Sequence, residues 1–450
     1  VVWARQGAAV AVTRRNQAHN LRTAVIGACG LLGIAGGQAE ATEVKTALFA
    51  YTEPGRVSAF EALVDGTHDF ASGKIANFHF VYDALTGASA NGATPASFAQ
   101  TFTTPSGGLG GDNDKRFGNK AAPKGAYHIA PGETPLDDSF ADSRFALATG
   151  LTFPLQRLTN LNLGVYGSIE RDYNSFGANT ALTHDFNQRN TTVALRGSIS
   201  QDDSTPLGGR PIPFAPMLPP LATKPIAPGS GTKSITDLGL GVTQVLNRST
   251  VLHLNYTYSA LRDYLNDPYK ILSVVDPVTG DPRPTDPYLY ESRPDSRTKH
   301  AIFARLVHHL GRDIVHLSYR YFSDDWGIRS QMAEATYRWQ FGARQYLQPH
   351  LRYYSQNDAD FYRRYLVDGQ NTPDHASADY RLGKMHTITY GLVYGHRSDT
   401  DREWTVRLEY YAQMGEHHPA DAIGNLANYD LFPTISALIM QVGYSFNFPQ

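Results

Sequence analysis

Arg305, His316, Arg320, Glu334, Arg338, His350, Arg352, Arg407 and Glu409 lie in the last third of the chain, and guanidinium groups outnumber carboxylates among them. A positive excess along one polar wall could line an anion-preferring passage. The same side chains could instead pair with one another and fill the space between them with salt bridges. A second set is acidic. Asp83, Glu170, Asp172 and Asp185 offer the oxygen donors that Ca²⁺ takes, but Asp185 falls toward the side opposite the other three, so one site of all four is not expected and hydrogen-bonded turn residues are the better reading. Asp112-Asn113-Asp114 looks calcium-like but lacks the rest of an EF-hand loop. His417-His418 could share a metal within a loop. His308-His309 could not, because neighbours on a strand point to opposite faces. Cys29 is the single cysteine, so no thiolate cluster supports zinc. Gly107–Gly111 is rich in glycine without the strand and helix of a phosphate-binding loop. No Gly-x-Ser-x-Gly elbow occurs. The expectation is no enzyme and no cofactor, with Ca²⁺ the one ion worth testing.

What could position these residues is a strand pattern. Leu438, Met440, Val442, Tyr444, Phe446 and Phe448 alternate with Gln441, Gly443, Ser445 and Asn447. Period two means one apolar face, and the length suits a tilted membrane-crossing strand. The stretch resembles the C-terminal signal of outer-membrane barrels, which predicts recognition by the barrel-assembly machinery. The alternation recurs: Leu252, Leu254, Tyr256 and Tyr258 oppose His253, Asn255 and Thr257; Trp404, Val406, Leu408 and Tyr410 oppose Thr405, Arg407 and Glu409. Strands are predicted at 74–84, 143–155, 159–170, 175–186, 189–200, 234–246, 249–261, 298–310, 313–323, 330–342, 344–354, 383–395, 403–413 and 438–448. Short links such as Asn247–Ser249 and Gly311–Asp313 alternate with long polar ones such as Ala84–Asp142, Arg262–Arg297 and Ser355–Arg381. Short turns on one side and long loops on the other mark an outer-membrane β-barrel, whereas a soluble sandwich gives no reason for the bias. The fold expected is all-β: an antiparallel up-and-down transmembrane barrel of about fourteen strands, or sixteen if Val44–Tyr51 and Arg56–Asp65 pair as well. Otherwise Thr42–Gly73 is a periplasmic or lumenal segment, and the barrel occupies residues 74–450. Aromatic residues at strand ends, Tyr82, Phe153, Phe186, Tyr258, Tyr321, Phe341, Tyr394 and Phe448, would form the interfacial girdles.

The composition fits. The 450 residues are 18% charged with a net charge of −2, and no run of 18 apolar residues occurs, which excludes a helical membrane protein. Near-neutral charge gives no footprint for nucleic acid. Arg14, Arg15 and Arg22, the apolar run Thr23–Gly36 and Ala39-Glu40-Ala41 read as a secretory signal with its cleavage site, after an upstream extension.

Within Val57–Pro211 specific motifs recur. They are Asp83-Ala84-Leu85-Thr86-Gly87-Ala88-Ser89, Gln100 through Ser106, Glu170-Arg171-Asp172-Tyr173, and Asp185 through Asn190. This stretch resembles the domain of unknown function 3570 family of Gram-negative bacteria. The resemblance implies an exported outer-membrane barrel with no established substrate. Family members often lie beside genes for small lipoproteins and flavin transferases, which implies a redox or export setting.

The expected function is passage or export of a small solute or modified product through a polar, anion-leaning lumen. A non-conducting barrel scaffolding redox or lipoprotein partners is the alternative. An outer-membrane hydrolase, using Ser, His and Asp on the outer loops, is a further one.

Overall fold

The computed structural model describes residues 39–103, 126–206, 209–218, 226–398 and 402–448. Cys29, Ser106, Gly107–Gly111, Asp112-Asn113-Asp114 and nearly all of the signal segment lie outside them. Sixteen antiparallel strands close into one barrel in chain order. They are β1 (Ala39–Thr52), β2 (Val57–Phe70), β3 (Ile75–Ala90), β4 (Leu136–Gln156), β5 (Thr159–Ile169), β6 (Tyr173–Phe186), β7 (Thr191–Ser204) and β8 (Gly231–Asn247). The second half is β9 (Thr250–Asp263), β10 (Ser296–Leu310), β11 (Asp313–Asp324), β12 (Arg329–Arg338), β13 (Gln345–Gln356), β14 (Met385–Arg397), β15 (Glu403–Gly415) and β16 (Ile435–Phe448). β1 closes on β16 from Thr42 opposite Phe448 to Thr52 opposite Leu438. Closure leaves no unpaired strand edge, which a bilayer would not tolerate.

The fourteen strands expected from periodicity are all present, and the count is sixteen. Thr42–Gly73 is not a separate periplasmic or lumenal segment: it forms β1, β2 and the start of the turn into β3, so the barrel begins at Ala39. The outward residues of this hairpin include Thr46, Ala50, Ala62 and Gly66, and such small side chains blur the alternation. The strand expected at 330–342 ends at Arg338, where 339–344 turns back into β13.

On most strands one face is apolar and exposed. Leu163 and Val165 on β5, Leu238 and Leu240 on β8, Leu351 and Tyr353 on β13, and Met440, Val442 and Tyr444 on β16 belong to it. The other face carries the polar residues and lines the lumen. Turns of two to six residues join the strands on the side where β16 ends. Longer connections lie at the opposite, outer side.

The long connections are more than polar loops. Those after β3, β7, β9, β13 and β15 fold together into a cap. Ile271–Val275 is buried at all five positions and forms a small sheet with Tyr288–Tyr290 and, in parallel, with Leu366–Val367. Phe102, Tyr127, Ile129, Ile271 and Tyr288 make one apolar cluster, and Trp326, Ile328, Phe361, Tyr362 and Leu382 another. Apolar burial therefore concentrates in the cap, since the barrel wall has lipid on one side and a polar lumen on the other.

Candidate functional site

The lumen-facing residues expected from parity do share one face. Arg305, Ser318, Glu334, Arg352 and Thr389 stand opposite one another across β10 to β14. Part of the set is wired together. Arg352 Nε donates to Glu334 Oε2 at 2.6 Å, and the His350 Nε2 atom lies 3.6 Å from that oxygen. His350 Nδ1 lies 2.8 Å from Glu409 Oε1, to which Arg407 Nη1 also donates at 3.0 Å. Gly391 stands between His350 and Glu409 in register. A Cβ there would lie 2.5 Å from Glu409 Cγ, so only glycine lets the pair meet across β14.

The remaining cations are not neutralised. Arg305 donates to His316 at 2.9 Å, Arg338 donates to Gln348 at 3.0 Å and lies over the Tyr346 ring, and Arg320 lies over Phe322. Among the described residues none of these three has a carboxylate within ion-pair distance. Glu334, His350, Arg352, Arg407 and Glu409 thus form a braced network, while Arg305, Arg320 and Arg338 have no carboxylate within ion-pair distance among the described residues.

Sequence reading missed the facing wall. In a ring of sixteen strands, β2 to β4 lie across from β10 to β12. They carry Glu61, Asp65 and Asp83 on the lumen face. Asp65 Oδ1 lies 2.5 Å from His79 Nδ1, and Arg144 Nε donates to Asp83 Oδ2 at 2.8 Å. Glu61 and Asp65 escaped notice because their strand was read as lying outside the barrel.

The cap crosses the outer mouth. Ile271 N–H, after β9, donates to Asn91 O, after β3, at 2.9 Å. Thr94 N–H donates to Ser273 Oγ at 3.0 Å, and Asn425 N–H, after β15, donates to Thr279 O at 2.7 Å. Segments rooted at such separate arcs of the ring meet only by spanning the opening. Six charges hold the junction: Asp267, Glu291 and Asp379 against Lys270, Arg293 and Arg381. Glu291 is 2% exposed and Asp379 1%. Arg293 bridges them, with Nε 2.6 Å from Glu291 Oε1 and Nη2 2.9 Å from Asp379 Oδ2. Arg381 donates to Asp379 and, at 2.6 Å, to Asp267. Burial would raise the Asp379 carboxyl, but Arg381, Lys270 and Arg293 hold it well below its usual range. Burial lowers Lys270, whose ammonium donates to Ala90 O.

The residues of the family-like motifs have structural work. Gly87 has φ +138°, and a Cβ there would lie 2.1 Å from Arg56 O. Thr86 and Ser89 flank it on β3, where the pairing with β4 shifts by one residue. Gln100 donates to Thr94 O and Tyr288 OH inside the cap. Tyr173 OH donates to buried Asp202, which also pairs with Lys233 at 3.1 Å and so ties β6, β7 and β8 together. Asp185 accepts from Thr192 at 2.7 Å, and Asn190 O accepts from Val245 N at 2.8 Å.

The four acids do not meet in one site. Asp83 is held by Arg144, and Asp185 lies at the opposite end of the wall. Asp142 joins Glu170 and Asp172 instead, with one oxygen of each within 4.8 Å of the others. Burial, then neighbouring carboxylates, raise Glu170 to about 7 and Asp172 to about 6, with Arg144 opposing at Glu170. Among the described residues no other trio of His, Cys, Asp and Glu converges in this way. His418 lies 3.2 Å and His417 3.9 Å from Asp430. Thr434 Oγ1 lies 3.1 Å from His417 Nε2, and at 3.9 Å Asp430 is beyond hydrogen-bond reach of Nδ1.

A pH effect follows at Glu170 and Asp172. Their carboxyls bind protons more tightly folded than unfolded, so the contribution to local stability is full below about pH 4 and is lost as pH rises through 6 to 7. Protection factors for amide exchange at residues 170–173, with the intrinsic base-catalysed rate divided out, should be higher at pH 5 than at pH 8. Recovery of protection at pH 8 on adding Ca²⁺ would mark a cation site, and unchanged exchange would mark proton binding alone. Equal protection factors at both pH values would contradict the geometry.

The family model described as Protein of unknown function (DUF3570) matches residues 21–446. The chain belongs to this family. This DUF3570 member is an outer-membrane β-barrel: its strands close on themselves, with apolar side chains outward and charged ones inward. No curated protein matches it in sequence. Among solved structures it is similar to the outer membrane protein opdK from Pseudomonas aeruginosa, at 9% identity and a TM-score of 0.39, over 91% of this chain and 98% of that one. It is also similar to CdiB from Acinetobacter baumannii, at 7% identity and a TM-score of 0.45, over 90% of this chain and 60% of that one. The siderophore receptor PirA from the same organism gives 8% and 0.39, over 83% and 53%. The DUF3570 chain thus spans only 53% and 60% of the lengths of PirA and CdiB. At these scores the likenesses carry no argument about activity.

Proposed function

We propose that the protein passes a small solute bearing an anionic group across the outer membrane, along the Arg305, Arg320 and Arg338 wall and beneath a cap that closes the outer mouth at rest. The observation that carries this reading is the set of three lumen guanidiniums without a carboxylate partner. A fixed cation in a confined polar space attracts anions more strongly than one at an open surface. The solute needs no covalent chemistry from the protein, so we assign no catalytic residue.

Uptake into vesicles holding the refolded barrel tests the reading. A small dicarboxylate should enter faster than a neutral solute of equal size, by roughly tenfold at low salt. Arg320→Gln with Arg338→Gln should remove most of that difference. Equal rates for the two solutes in the unaltered protein would overturn the proposal. The cap favours a second reading, a closed barrel that holds a small lipoprotein or redox partner. Absence of flux together with a copurifying partner would support it.

A further inference from the structure

Seven turns join the strands on the inner side, and every one carries an exposed basic residue. Lys74 lies in the turn 71–74, Arg157 in 157–158, Arg189 in 187–190 and Arg248 in 248–249. Arg312, Arg344 and Arg402 continue the series in 311–312, 339–344 and 398–402. Arg189 has Asp185 at 3.9 Å. Among the described residues no carboxylate lies within ion-pair distance of Lys74, Arg157, Arg248, Arg312 or Arg402.

These cations sit at one level. Arg157, Arg189 and Arg248 follow Leu155, Phe186 and Leu246, which are exposed on the lipid face. Arg312 follows Leu310, Arg344 follows Phe341, and Arg402 precedes Trp404, all exposed as well. Lys74 Nζ lies 5.8 Å above the Phe153 ring. Apolar and aromatic side chains at a strand end mark the edge of the hydrocarbon region. A long basic side chain one to three residues further on reaches the layer where phosphates lie. The outer rim lacks this regularity: its connections mix Glu53, Glu170, Asp172 and Asp325 with their basic residues, whereas on the inner side acids occur in one turn alone, as Asp399 and Asp401 before Arg402.

We propose that this basic collar binds the headgroups of anionic phospholipids in the leaflet on the short-turn side and fixes the barrel's depth there. The collar runs around the whole perimeter and always beside lipid-facing residues. A protein partner would need one patch; an annulus of lipid needs a ring.

The full chain refolded into phosphatidylcholine vesicles tests this with trace spin-labelled phosphatidylglycerol or phosphatidylcholine. The immobilised boundary fraction should favour phosphatidylglycerol by roughly two- to fivefold at low salt. The preference should shrink as salt shortens the screening length from ~10 Å at 0.1 M. Arg157→Gln, Arg189→Gln, Arg248→Gln and Arg312→Gln together should bring the two lipids close to parity. The four Arg→Lys changes should keep the preference. Heat-modifiable migration confirms folding, and if the four-Gln barrel fails that check, Arg248→Gln with Arg312→Gln should give a partial loss. Equal association of both lipids with the unaltered barrel would overturn the proposal. So would an undiminished preference in a folded Gln variant. Capture of an acidic periplasmic protein without any lipid preference would assign the collar to that partner instead.

Discussion

Arg293→Met should unlatch the cap. The change leaves Glu291 and Asp379 buried beside fewer cations, and removing one partner of a buried ion pair costs about 3–5 kcal/mol. That loss falls on contacts among loops, so the barrel strands keep their pairing. Protease should then cut within 264–295 and 357–384 while the sixteen strands stay heat-modifiable. Ion-conducting steps in planar bilayers should become more frequent. Arg293→Lys should give an intermediate effect, because an ammonium cannot span both carboxylates as the guanidinium does. A cap equally resistant to protease in Arg293→Met would show that Arg293 does not hold it.

Glu409→Leu should weaken the barrel wall itself. Glu409 is buried beside His350 and also accepts from Arg407. Without it, His350 keeps only the longer approach to Glu334, and Arg407 loses its acid. We expect a loss of about 3 kcal/mol, seen as a lower urea midpoint for the vesicle-embedded barrel. Anion preference should rise at the same time, since one more lumen guanidinium is free. Gly391→Ala separates the two effects: its Cβ pushes on Glu409 and Leu408 O without changing any charge. It should lower stability with little change in preference. An unshifted midpoint for Glu409→Leu would mean the network contributes nothing to the wall.

Much of the barrel was legible because parity is a local property. The pattern Leu252, Leu254, Tyr256, Tyr258 against His253, Asn255, Thr257 places β9 without any tertiary information, and the same holds for β10 to β16. β1 and β2 read only as possible strands because small residues such as Thr46, Ala50, Ala62 and Gly66 interrupt the apolar parity of their outward face. The Arg wall was legible for the same reason as the strands. Which cation is neutralised was not. That Glu334 takes Arg352 while Arg320 keeps no acid depends on cross-strand register and on how far each side chain reaches. The cap was the least legible part. Ile271-Leu272-Ser273-Val274-Val275 is a strand-like run inside a polar connection. Its partners at Asn91, Tyr288 and Leu366 are distant in sequence, and no local period announces them. Lys270, Glu291, Arg293, Asp379 and Arg381 read singly as solvated loop charges; only when the loops 264–295 and 357–384 meet do Lys270, Glu291 and Asp379 become buried and Arg293 and Arg381 pair with them.

The reversal potential of single channels in a salt gradient tests the central claim most directly, measured on the Arg293→Met barrel with and without Arg320→Gln and Arg338→Gln. The account predicts conducting steps with anion preference in the first, and a loss of that preference without loss of conductance in the second. Steps that favour cations, or an anion preference untouched by removing both guanidiniums, would contradict it.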